Sequence, residues 1–186
     1  MVKNIIKKSE YEEVTPIFKR KEVQYYLLRI NPQEVDNELY SVIEDVYDHN
    51  PTKNDRTELY NNWLNMEKRV KINNIISYDI SENVNSFKIN GMSTWLDKST
   101  RVGLNNSLNI EKNNGHTTTV LYLNNIAITL SIDKALEILS NIEMYAIDCY
   151  RTTEMHKTNV NNLDVIENVE LYDYTDGYPD KLEFNV

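Results

Sequence analysis

The side chains able to do chemistry in this chain are few and scattered. The three histidines, His49, His116 and His156, lie far apart, and none has a second His or Cys at metal-ligand spacing. Cys149 is the only cysteine, which excludes an intrachain disulfide and any cysteine-rich zinc site. It falls in an apolar seam with no evident base nearby, the setting of a buried, inert thiol. Glu143 and Asp148 are the acids of the most apolar stretch. A carboxylate buried there could have a raised pKa, whereas a hydrogen-bonded structural role or exposure on a narrow polar face is the plainer reading. Glu154 and His156 are two apart and share no helix face. There is no Gly-rich phosphate loop, no GxSxG elbow and no HExxH, and four glycines leave little scope for backbone phosphate cradles. These residues predict no catalytic, metal or cofactor site. An enzyme would require a cleft gathering Glu143 or Asp148 with a histidine.

The composition narrows the class further. A chain of 186 residues, 40% hydrophobic and 26% charged, can bury a real core in one domain or one domain plus a small unit. A net charge of −9 argues against direct nucleic-acid contact, because phosphate recognition needs Lys and Arg in excess. Lys3, Lys7, Lys8, Lys19, Arg20 and Lys21 make the first part locally basic, interrupted by Glu10, Glu12 and Glu13, which reads as a solvated face or terminal arm in preference to a docking arm for an acidic partner. No signal-peptide-like run or membrane-length apolar stretch is present, so folding in a cytoplasm is expected. Asn, Ile, Lys and Tyr are plentiful, as a low-GC genome would make them.

These residues must be positioned by regular elements. Residues 1 to 14 are mostly polar and need an anchor. TPIFKR followed by EVQYYLLRI is the first regular signal and favours a strand, with Val23, Tyr25 and Leu27 alternating and Pro32 closing it. NELYSVIEDVYDHNP is ambiguous, and its periodicity slightly favours a helix over 39 to 47. A second helix starts at Asp55, where Asp55 or Asn54 would cap, with Leu59, Trp63, Met66 and Val70 as its apolar stripe. The polar stretch from Ser77 to Ser86 divides an N-terminal β/α region, 1–80, from a C-terminal domain, 81–186.

The second part reads as hairpin, helix, hairpin, long helix. Asn90-Gly91 forms the first turn, and Asp97 or Ser99 caps a helix carrying Val102, Leu104, Leu108 and Ile110 until Gly115 stops it. Two strands meet at Asn124-Asn125, with Val120, Tyr122, Ile126, Ile128 and Leu130 alternating. The long helix then begins at Ser131, with Ile132, Ala135, Leu139, Ile142, Ala146, Cys149, Thr153 and His156 forming one seam. Leu136, Ile138, Met144, Tyr145 and Ile147 lie off that seam, so one side covers the strands and the other needs more protein, from this chain or another subunit. Asp164 caps a short following helix, and a tail carrying Tyr172, Tyr174, Tyr178 and Phe184 should dock. Trp63 and Trp95 are expected core or hairpin-end residues. The fold class is therefore α+β, with antiparallel β-hairpins packed on a long central helix and shorter helices.

The runs WLDKSTRVGLNNSLNIEKNNGHTTTVLYLNN, ITLSIDKALEILSNIEMYAIDCY and ENVELYDYTDGYPDKLEF resemble an uncharacterised domain family of tailed bacteriophages and prophages, often encoded among tail or other virion genes. The resemblance covers about Ser77 to Val186, with WLDK-TRVGL, YAIDCY and YDYT-GYP-KL as its most specific parts. The first part, with YYLLRINPQEVDNELY, is similar more loosely, and in that family the stretch after Asn-Pro reads more like a strand. The resemblance implies a virion structural protein, a tail or tail-adjacent homo-oligomer meeting other virion proteins, made in the host cytoplasm. A non-virion assembly factor, such as a tail-fibre chaperone, is the alternative. The expected contact residues are Leu136, Ile138, Met144, Tyr145, Ile147, Tyr172, Tyr174, Tyr178 and Phe184.

Overall fold

A computed structural model describes all residues from Met1 to Val186 and shows an α+β fold with antiparallel hairpins and a long central helix. The chain divides into two compact units, Met1–Lys71 with Leu163–Tyr172, and Ile72–Asn162 with Asp173–Val186. The division expected near residue 80 thus falls earlier, and a short later segment joins the first unit.

In the first unit, β1 (Val2–Lys7), β2 (Val14–Arg20), β3 (Val23–Glu34) and β4 (Leu39–Tyr47) form one antiparallel sheet in the order β1-β4-β3-β2. Residues 2 to 7, read as an irregular arm, are an edge strand, because β4 supplies the ladder that their own polar composition does not advertise. The helix expected over 39 to 47 is a strand. It pairs on both sides, and Val42 and Ile43, facing opposite ways, are both buried. A strand covered on both faces loses its period of two, and adjacent apolar residues then imitate a helical face.

Pro32 does not end β3. The register of β3 against β4 shifts between Ile30 and Gln33, with Asn31 at φ 52°, so the proline occupies a bulge where no ladder N–H is needed. The buried side chains of β3 are Leu28 and Ile30, the opposite parity to the expected Val23, Tyr25 and Leu27. Across the sheet, the buried Glu44 accepts from Asn4 Nδ2 (2.8 Å) and Arg29 Nε (3.1 Å), which satisfies a carboxylate at the sheet centre.

The β2–β3 turn places Lys21 and Glu22 at φ 48° and 67°, a two-residue geometry that side chains other than Gly and Asn adopt at a cost. Lys21→Asn with Glu22→Gly should stabilise the chain by about 1 kcal/mol, measured by urea unfolding. An unchanged or lower midpoint would contradict the turn geometry.

Helix α1 (Lys53–Asp79) is capped by Thr52, not by Asn54 or Asp55. The Thr52 N–H donates to the Asp55 carboxylate (2.6 Å) and the Asp55 N–H donates to Thr52 Oγ1 (3.3 Å), a reciprocal capping box. The Thr52 hydroxyl also donates to the Asp55 carboxylate (2.6 Å), and this bond and that from the Thr52 N–H, with help from His49, hold the Asp55 carboxyl down at about 2. Leu59 and Trp63 are buried as expected, whereas Val70 is exposed. The α-helix α4 (Ile166–Leu171) is pinned to the same unit. Asn31 Nδ2 donates to Glu167 Oε1 (2.8 Å), Lys3 pairs with Glu170, and Lys71 Nζ donates to the Glu170 carbonyl (2.8 Å). Asp164 does not cap α4. The Ile166 N–H instead donates to the Tyr60 hydroxyl (3.3 Å).

In the second unit, β5 (Phe87–Ile89) and β6 (Met92–Thr94) form the Asn90-Gly91 hairpin, with φ of 48° and 77° at the turn. The stretch from Ser77 is not a polar linker throughout, since α1 runs on to Asp79 and Val84 is fully buried. Helix α2 (Lys98–Asn113) is capped by Asp97, which accepts from the Thr100 N–H (2.8 Å). Its buried face is Arg101 and Leu108, with Leu104 alongside, while Val102 and Ile110 are exposed. Apolar type alone selected a stripe that winds around the helix, and spacings of three and four recover the observed face. Strands β7 (Thr118–Leu123) and β8 (Ile126–Ser131) close at Asn124-Asn125, both at positive φ. The inward residues of β7 are Thr119, Leu121 and Leu123, so Val120 and Tyr122 face out.

Helix α3 (Ile132–Asn162) is capped by Ser131 Oγ, which accepts from the Lys134 N–H (3.2 Å). The expected seam is buried at Ile132, Ala135, Leu139, Ile142, Cys149, Thr153 and His156, and Ile138, Tyr145 and Val160 join it. One core gathers Phe87, Ile89, Leu121, Leu123, Ile128, Leu130, Leu139 and Ile142 against this helix. The C-terminal strand β9 (Glu183–Phe184) pairs parallel to β5 and so docks the tail on its own chain.

Candidate functional site

The titratable groups singled out in the sequence are separately engaged. Cys149 is buried beside Val84 and Tyr145, and burial pushes its thiol up to about 11, so it is neutral and unreactive at neutral pH. Tyr145 is buried with it, and its hydroxyl donates to the Val84 carbonyl (2.7 Å). Burial likewise raises the pKa of this phenol. Asp148 accepts from Arg151 Nη1 (3.0 Å) on the exposed side of α3. His49 is exposed between Asp48 and Asp55, and its hydrogen bonds to these carboxylates, Asp48 first, raise its pKa.

Glu143 faces α2. It accepts from Arg101 Nε (2.6 Å), while Arg101 Nη1 donates to the Leu96 carbonyl (2.6 Å) and the guanidinium lies 5.4 Å from the Trp95 ring centroid. The pair divides a groove between α2 and α3. On one side is a cleft of about 340 Å³ bordered by Val102, Asn105, Leu139 and Ser140. On the other is one of about 280 Å³ bordered by Lys98, Ala146, Ile147 and Tyr150. The cleft that would have turned the reading toward catalysis therefore exists around Glu143, but its ionic partner is an arginine rather than a histidine. A carboxylate bound to a buried guanidinium is held in one orientation, and the pair fastens α2 to α3.

A second polar cluster fastens the tail. Thr153 Oγ1 donates to Asp79 Oδ1 (2.7 Å), which leaves the Tyr178 hydroxyl to donate to Thr153 (2.9 Å). His156 Nε2–H donates to the Asp176 carbonyl (2.9 Å), and the His156 and Tyr178 rings lie 5.8 Å apart. Tyr174 and Tyr178 both meet Tyr78, at 5.7 and 5.5 Å between ring centroids. Phe184 packs edge-on against Phe87 at 5.9 Å.

The nine expected contact residues thus separate. Ile138 and Tyr145 are taken up by the core of the second unit. Leu136, Ile147, Tyr172, Tyr174, Tyr178 and Phe184 are half-buried, and Met144 is 53% exposed. Three exposed aromatics were not selected as contacts from the sequence, Phe18 on β2, Tyr122 on β7 and Tyr150 on α3. Tyr150 could have been found by its place one turn after Ala146, at the flank of the seam.

No family model, no curated protein and no solved structure matches the chain. No helix is long and apolar enough to cross a membrane.

Proposed function

We propose that this chain is a structural component of a bacteriophage particle, a tail or tail-adjacent protein that assembles in several copies with other virion proteins. The supporting observation is where the family-like motifs sit. Trp95 of WLDK, Tyr145 and Cys149 of YAIDCY, and Tyr178 and Leu182 of YDYT-GYP-KL come together around Val84. Asp97 of the first motif caps α2, and Arg101 closes over Trp95. The most distinctive residues are engaged in holding the chain's shape, the demand placed on a building block whose surfaces must meet neighbours reproducibly.

This reading is structural and invokes no catalysis or cofactor. The subunit would be made in the host cytoplasm, and its net charge of −9 would keep it dispersed before assembly. Mass spectrometry of particles purified from the strain that encodes the chain should detect it in stoichiometric amount. Absence from mature particles, together with a complex between this chain and a fibre polypeptide, would replace the virion reading with that of an assembly factor.

A further inference from the structure

Unpaired strand edges recruit other strands, and proteins blunt them with charge, proline, bulges or short length. Most edges here are blunted. β1 carries Lys3 and Lys7, and β2 carries Pro16 at a register shift and then Lys19 and Arg20. β6 and β9 are three and two residues long. The β7–β8 hairpin differs on every count. Its strands have six residues each, their register is unbroken, and neither contains a charge or a proline. They sit within twenty successive residues, Asn113 to Ile132, without Asp, Glu, Lys or Arg. The next longest such run, Val102 to Ile110, has nine.

The turn geometry shows which backbone groups are open. Leu123 and Ile126 flank the two-residue turn, so the mutually bonded pairs are Leu123–Ile126, Leu121–Ile128 and Thr119–Leu130. The N–H and C=O groups of Thr118, Val120 and Tyr122 then point away from β8, and no other backbone segment takes them. The side chains of those residues are on the outer face, with Val120 46% and Tyr122 75% exposed.

We infer that β7 is the edge through which two copies of this chain pair, antiparallel, joining two hairpins into one four-stranded sheet. A second copy fits for an electrostatic reason. Each chain carries −9, so two copies repel except where their charges are excluded, and β7 lies at the middle of the longest charge-free stretch. With the two-fold axis at Val120, Tyr122 of each strand stands opposite Thr118 of the other, and each valine meets its mate. A contact of six residues per strand is small, which places the pair among weak, concentration-dependent dimers strengthened by multiplicity in an assembly. The inference adds a contact to the multicopy reading but rests on the hairpin alone. Particles lacking the protein would remove the virion reading and leave this one standing.

Sedimentation of the full chain from about 1 μM to about 500 μM, a range spanning weak dimers, should show a monomer–dimer equilibrium. Val120→Lys should weaken association at least about tenfold by placing two ammonium groups opposite each other at the two-fold axis, without shifting the thermal midpoint. In a second measurement, Val120→Cys should be joined between copies by a short bismaleimide, with the buried Cys149 silent. That cross-link decides the matter if Val120→Lys does not fold: high yield supports the pairing and no yield overturns it. A monomer at every concentration, or a dimer indifferent to Val120→Lys, would also overturn it. Loss of the dimer on Ala127→Lys in β8, with Val120→Lys still dimeric, would refute the β7 edge.

Discussion

Ile142→Ala should lower the unfolding free energy by about 4 kcal/mol, near the upper range for large-to-small changes in a core. Ile142 is fully buried at the middle of α3, in a cluster to which β5, α2 and both strands of the second hairpin contribute. Removing three carbons there forfeits their transfer free energy, and the walls cannot close on the space because they belong to four separate elements. Alanine's better helix propensity returns only about 0.5 kcal/mol. Met144→Ala, two residues away but exposed, should change stability by no more than about 0.5 kcal/mol. Urea unfolding of both variants checks the pair. Similar losses would mean that α3 does not bury the face described.

Arg101→Ala comes next, with an expected loss of about 3 kcal/mol. The guanidinium is 7% exposed and links three groups, the Leu96 carbonyl, the Glu143 carboxylate and the Trp95 ring. Truncation strips the Leu96 carbonyl of its donor and uncovers the indole. Glu143, 38% exposed, can turn to water, so its orphaned charge adds little. The converse change, Glu143→Ala, leaves Arg101 with its carbonyl and its ring, and should cost about half as much. Thermal and urea melts of the two single variants and the double variant give the coupling directly. Equal losses from the two single changes would show that the ion pair, not the arginine's packing, is the main contribution.

Much of the second unit was legible in the sequence, because its elements announce themselves locally. Asn90-Gly91 and Asn124-Asn125 supply the positive backbone angles of tight turns, Asp97 and Ser131 cap their helices, and the seam from Ile132 to His156 follows one period. The first unit was less legible because partners define it. β1 becomes a strand only beside β4, and β4 hides its period by being buried on both faces. The turn at Lys21 and Glu22 lacks the residue types that mark such turns, and Thr52 rather than Asp55 caps α1 because the cap is reciprocal. At the candidate site, the sequence located Glu143 and Cys149 but not their partners. Arg101 reaches Glu143 across forty-two residues, and no local pattern reports so distant a neighbour.

The assignment of residues 163 to 172 to the first unit has a practical consequence. The chain leaves the first unit within α1, returns to it after Asn162, and leaves again after Tyr172, so each unit is built from two separate lengths of polypeptide. Neither can be excised by a single cut. A recombinant fragment ending near residue 80 would lack α4 and the acceptors it offers to Asn31, Lys3 and Lys71. During synthesis, too, the first seventy-one residues must wait for ninety-one more before their last piece emerges from the ribosome. Completion of the N-terminal unit is thereby deferred until the whole of α3 has been made.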